Sequence, residues 1–195
     1  MKKRSFILLA MPFVFLACNN AGKDSVEKAD SANETKMDTT NAGTTTTATI
    51  AVDEATSDFM TKVADVGMTE VKLGQMAQDK AMNQRVKDFG AMMVKDHSAA
   101  GDELKSLASG KNVTLPATPG EEHQRKMEDL SKKTGKDFDK AYINAMVDGH
   151  QSAISDFEKA SKNTKDADVK AWIDKTLPTL KMHLDSARAI KKVLK

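Results

Sequence analysis

The chain lacks most of the usual means of holding a fold together or doing chemistry. It has a single cysteine, Cys18, so no disulfide can form within it, and folding rests on packing with or without a metal ion. After the first residues it has no apolar run approaching the roughly 20 residues a membrane-spanning helix needs. It has no excess charge of one sign: 30 basic and 28 acidic residues are interspersed, for a formal net charge of +2. That gives no electrostatic case for a nucleic-acid partner. There is no glycine-rich phosphate loop, no paired-cysteine motif and no serine-nucleophile elbow.

What the chain does have begins at its N-terminus. Met1-Lys2-Lys3-Arg4 is basic, and Phe6 to Ala17 is apolar. This is the layout of a secretory signal peptide over residues 1–17. Leu16-Ala17-Cys18-Asn19 resembles a bacterial lipoprotein cleavage box, although Phe15 stands where leucine is usual. On that reading Cys18 becomes the acylated first residue and the chain is anchored to a membrane. The bland alternative is ordinary cleavage that leaves a free thiol. Acyl chains contribute about 0.8 kcal/mol per buried methylene, so several hold a protein firmly. The expected location is the bacterial cell envelope, at the outer membrane and facing the periplasm. From Asn19 to Thr56, Ser, Thr, Asn, Asp, Ala and Lys dominate, with Thr44 to Thr47 as a low-complexity centre. Such a stretch buries too little to offset ordering its backbone, so residues 18–56 read as a lipidated cysteine and a disordered tether.

Residues 57–195 form one domain, and its hydrophobic pattern has the helical period throughout. Four long helices are predicted, over about 58–80, 84–109, 137–162 and 167–194, with Ser57 and Asn83 as caps of the first two. A short helix, opened by a Thr118–Glu121 capping box and closed near Gly135, interrupts the middle connection. Pro178 lies inside the last helix and should kink it. The expected fold is all-α: an antiparallel four-helix bundle.

Each long helix carries one polar residue in its apolar seam. The seams read Val66-Glu70-Leu73, Met93-His97-Ala100, Met146-His150-Ala153 and Leu180-His183-Ala187, in steps of three or four that share a face. Phe89 to His97, FGAMMVKDH, and Tyr142 to His150, YINAMVDGH, repeat in register. In a bundle of two related hairpins the four polar residues meet at one level. An unpaired buried polar group costs about 1–3 kcal/mol. Four would take much of a stability of about 5–15 kcal/mol. They are therefore satisfied either by one another, water, Tyr142 or the backbone, or by a metal ion. One Glu with three His is a reasonable first shell for zinc, copper, iron or manganese. Met93 and Met146, one turn before two of the histidines, are either soft ligands for Cu(I) or fillers of core gaps. Asp96 and Asp148 lie next to seam histidines but on another helix face, which suggests solvated acids. His123, in the short helix, reads as exposed or capping.

Several segments together carry a family resemblance. Asp58-Phe59, Glu70-Val71-x-Leu73-Gly74, Phe89-x-x-Met92-Met93-Val94-x-Asp96-His97, Tyr142-x-x-Ala145-Met146-Val147-x-x-His150 and Thr176-Leu177-Pro178-Thr179-Leu180-x-x-His183-Leu184 occur in order. The chain resembles the bacterial domain of unknown function 4142. The resemblance implies a ferritin-like bundle in secreted or envelope-anchored proteins, and no activity. Iron oxidation of the ferritin type is disfavoured, because Glu-x-x-His is missing: Val94, Gly120, Val147 and Leu180 stand three residues before the four histidines. The expected function is an envelope-anchored binding module for a transition metal, serving sequestration or sensing, including under stress. The alternative is a purely structural or interaction bundle with a hydrogen-bonded polar core. A metal-dependent oxidoreductase stands behind both, and the balance is against an enzyme. The sequence names no protein partner.

Overall fold

The computed structural model describes residues 24–38 and 50–194. Cys18 and the signal-like segment lie outside these residues. The described residues are helical and contain no strand, as the periodicity predicts. They form α1 (Ser25–Asp38), α2 (Glu54–Lys80), α3 (Gln84–Gly110), α4 (Glu121–Ser131), α5 (Gly135–Asn163) and α6 (Ala167–Val193).

The four long predicted helices are present, with ends moved by the caps actually used. Helix α2 begins a turn before the expected start because Asp53 takes the cap, its carboxylate accepting from the Thr56 amide at 2.9 Å. Ser57, the expected cap, is instead fully buried in the first turn. Asn83 caps α3 as expected, accepting from the Arg85 amide at 2.9 Å. Asp166 caps α6 by accepting from the amides of Asp168 and Val169. Gly135 opens α5 with φ +56°, a left-handed conformation that favours glycine. Pro178 stays inside α6, which is assigned as one helix from end to end.

The expected capping box of α4 does not form. The helix starts at Glu121, and its N-cap Gly120 has no side chain to offer. Carboxylates from elsewhere take the free amides instead. Asp65 accepts from Gly120 N at 2.8 Å and Asp24 accepts from Glu121 N at 2.9 Å. A negative charge at this end also suits the helix dipole.

Residues 25–38, expected to be disordered tether, form α1. It buries little apolar surface beyond Ala29, and polar bonds hold it. Asn33 clasps the backbone of Thr114 in both directions, donating to its carbonyl at 2.9 Å and accepting from its amide at 2.7 Å. Ser25 Oγ accepts from the amides of Ala117 and Thr118, and Lys36 Nζ donates to the Asn112 carbonyl. Composition hid this helix because its attachment depends on partners about eighty residues away in sequence.

Helix α2 packs on α3 and α5, α6 packs on α5 and α3, and α1 lies against α2. Helices α2 and α3 are in backbone contact at Gly74 and Gly90, where a Cβ on either would lie 2.6 Å from the other's carbonyl oxygen. The buried apolar residues fall into two clusters. One contains Leu73, Phe89, Met93, Phe138, Tyr142, Met146 and Leu184. The other contains Phe59, Leu104, Phe157, Trp172, Ile173 and Leu180. Along every long helix the seam passes from one cluster to the other, and the polar residue stands at the crossing.

Candidate metal centre

Glu70, His97, His150 and His183 are all buried, so each seam turns its polar residue inward. The three imidazole ring centroids are 5.3 to 5.6 Å apart. One ring nitrogen from each histidine lies within 4.8 Å of the other two. Glu70 stands against two of the rings, with Oε2 3.1 Å from His97 Nδ1 and Oε1 3.3 Å from His150 Nδ1.

The partners of His150 and His183 assign their tautomers. His97 Nδ1 stands in ion-pair contact with the Glu70 carboxyl group. His150 Nδ1–H donates to the Met146 carbonyl at 2.9 Å, one turn back on α5, with Glu70 beside it. His183 Nε2–H donates to Asp96 Oδ2 at 2.9 Å. His150 and His183 thus spend their protons on acceptors at the edge of the cluster. Their other nitrogens, His150 Nε2 and His183 Nδ1, are left with lone pairs. His150 Nε2 and His183 Nδ1 are 3.3 Å apart. His97 Nε2 is buried and has no hydrogen-bond partner among the described residues.

Burial keeps the rings neutral. It holds His97 down to about 4, the nearby Asp96 pulling weakly the other way. It also lowers His150 and His183, against the raising influence of Glu70 on the first and Asp96 on the second. The Glu70 carboxyl is pushed up by burial, with His150 opposing. At neutral pH the rings are therefore uncharged, with His150 Nε2 and His183 Nδ1 meeting at 3.3 Å. Such an arrangement is costly empty, and a cation relieves it. The donor set fits a transition metal that accepts imidazole.

Asp96 corrects an expectation. It is not a solvated acid but the orienting partner of His183. One residue before His97, it sits about 100° around α3, on the side turned to α6. Asp148 is exposed, as expected. Met93 and Met146 lie in the first apolar cluster, and what Met146 gives the site is its backbone carbonyl. Tyr142 is buried between Phe138, stacked at 6.0 Å, and Phe89, edge-on at 6.2 Å. Its hydroxyl has no partner among the described residues, and burial, helped by Glu70, pushes its pKa up. His123 lies outside the cluster but is half-buried rather than exposed, with Nδ1 2.7 Å from Asp65 Oδ2, pinning α4 to α2.

The model of the family described as domain of unknown function (DUF4142) matches residues 41–190, which include all four polar seam residues. The chain belongs to this family. A search of curated proteins found no match. Among solved structures, the chain is similar to CopM in the Cu(II)-bound form, with a TM-score of 0.62. That likeness covers 72% of this chain and 97% of the other at 16% identity, which speaks for a shared helical fold.

Proposed function

We propose that this protein is an envelope-anchored helical module that holds one transition-metal ion through His97 Nε2, His150 Nε2 and His183 Nδ1. Glu70, Asp96 and the Met146 carbonyl act as outer acceptors that fix the rings, so Glu70 orients two ligands instead of serving as a fourth. The long helices, each packed on two others, are read as an antiparallel, ferritin-like four-helix bundle with α4 in its long connection. An ion bound here would be sequestered or sensed, and bound ion would add to the stability of the fold. An acylated Cys18 would keep the module at the membrane, facing the periplasm.

The carrying observation is the approach of His150 Nε2 to within 3.3 Å of His183 Nδ1, beside the orphaned His97 Nε2. Copper is the first metal to test, since imidazole suits it and the helical neighbour CopM is known in a Cu(II)-bound form. Zinc, iron and manganese follow. The second reading, a purely structural bundle, draws on the same 3.3 Å contact taken as a hydrogen bond between the rings. It requires His150 to turn its proton from the Met146 carbonyl at 2.9 Å, or His183 to turn its proton from Asp96 at 2.9 Å, toward the other ring.

Metal analysis of the protein purified without chelator or affinity tag tests the proposal. Near one equivalent of metal, lost in His97→Ala or His150→Ala, supports it. Absence of metal, with unchanged melting on adding copper or zinc, supports the structural bundle.

A further inference from the structure

A cavity of about 380 Å3 lies between α2, α3 and the 115–119 segment. Exposed residues, among them Lys62, Lys72, Asp102 and Lys105, form its rim. Two buried members of the polar cluster, Glu70 and His97, line it as well, while His150 and His183 do not. Burial is graded in the same order. His97 keeps 9% of its surface exposed and Glu70 4%, whereas His150 and His183 keep none. A second approach, past the partly exposed Asp96, is closed by that carboxylate's own contact with His183 Nε2 at 2.9 Å.

Gly67 on α2 and Gly101 on α3 keep this space wide. Both line it, and a Cβ on either would meet nothing within 4 Å. Glycine inside a helix is disfavoured relative to alanine. At Gly74 and Gly90 it has a packing reason, the backbone contact between the same two helices. At Gly67 and Gly101 packing gives none; what the missing side chains provide is room. The charged groups along the cavity balance formally. Lys62 is paired with Asp156 at 2.8 Å and Lys105 with Asp102 at 3.6 Å, while Lys72 stands at the rim and Glu70 beside His97. Net charge therefore neither draws nor bars a small cation. The apolar walls at Val66, Leu104 and Leu115 offer an ion no ligand, which suits transit rather than retention.

We propose that this cavity is the passage by which a transition-metal ion reaches the histidine cluster, with His97 the first ring met and His150 and His183 reached only past it. That an ion travels here rests on the metal reading; the route itself rests on the cavity and the graded burial. His97 Nε2 is buried beneath the exposed part of its ring. A small turn of that ring completes the last step, so His97 acts as the entry ligand and the other two rings as the fixed part of the site.

Two measurements on the full chain test the passage. The first needs no metal. Diethyl pyrocarbonate modifies uncharged imidazoles, and mass spectrometry at pH 7 gives the rate at each histidine. His123, outside the cluster and half-buried, should react first, His97 next, and His150 and His183 last. Gly67→Leu and Gly101→Leu fill open space in the passage. Each should slow His97 by roughly tenfold and leave His123, the internal control, unchanged. The second measurement follows Cu(II) uptake by stopped flow and its release into excess EDTA. Both rates should fall by roughly tenfold in the two variants with the affinity unchanged, because a narrowed path raises the barrier in both directions and leaves the end states alone. Met182→Ala, at an exposed position away from the cavity, should change neither rate. The parent alone can overturn the passage: His183 modified before His97 would place the route at Asp96, and His97 as inert as His150 would leave no route here. Folded leucine variants with parental rates would overturn it as well. A parent that binds no copper yet shows the expected order of modification would count against the metal reading alone.

Discussion

At the scale of single residues, the site is governed by where the ring protons go. The Met146 carbonyl and Asp96 each draw a ring N–H outward, which turns the opposite nitrogens inward as lone pairs, and Glu70 stands 3.1 Å from His97 Nδ1. Outer acceptors of this kind typically change metal affinity about 10- to 100-fold when lost. On the proposed metal reading, Glu70→Gln and Asp96→Asn should therefore still bind copper but more weakly by about that factor, as read by competition with a chromophoric chelator. His97 gives a pH prediction for the metal-free protein. Its folded pKa is about 4, below the ordinary 6.5. Above 6.5 it is neutral folded or unfolded. As pH falls from 6.5 toward 4 the unfolded chain takes the proton first, so stability is lost across that window, by about 3 kcal/mol for this ring. His150 and His183 are displaced the same way, while Glu70, raised by burial, offsets part. Urea midpoints at pH 7 and pH 5 check this: the midpoint should fall at pH 5, and an equal or higher value would contradict the ring assignments.

At the scale of helices, two kinds of contact set the frame, and the sequence displays only one. The 3.6-residue period makes the four long seams plain, because a side chain's face follows from its own spacing. Caps supplied from a distance leave no local trace. Asp65 and Asp24 at the start of α4, and the buried Asp139 that accepts from the Met82 and Asn83 amides before α3, cannot be found by scanning neighbours. The same limit hid α1, whose polar surface resembles tether until Asn33 is seen closing on Thr114. Asn33→Ala should cost about 1–3 kcal/mol for the unsatisfied Thr114 groups and speed amide exchange at Thr114. The α2–α3 crossing gives a paired test. Gly74→Ala drives a methyl into the Gly90 carbonyl and should cost about 1–3 kcal/mol. Gly101→Ala meets open space and should be neutral or stabilising by up to about 1 kcal/mol. Thermal melts of the two variants should move in opposite directions or, at least, differ by that margin.

At the scale of the whole molecule, a polar layer separates two apolar clusters, and each of the four long helices contributes one member. That Glu70, His97, His150 and His183 lie together was legible from their seam positions, since four seams facing a common interior align their mid-points. Which ring nitrogens face inward was not legible, because that depends on acceptors offered by neighbouring helices: Asp96 of α3 reaches across to His183 of α6. The division of labour between three rings and one carboxylate is therefore a result of packing. The most direct measurement is electron paramagnetic resonance of the protein loaded with one equivalent of Cu(II). The account predicts coupling to three imidazole nitrogens, falling to two in His183→Ala where copper is retained. A spectrum of weakly held copper without imidazole coupling, unchanged in His97→Ala, His150→Ala and His183→Ala, would contradict it.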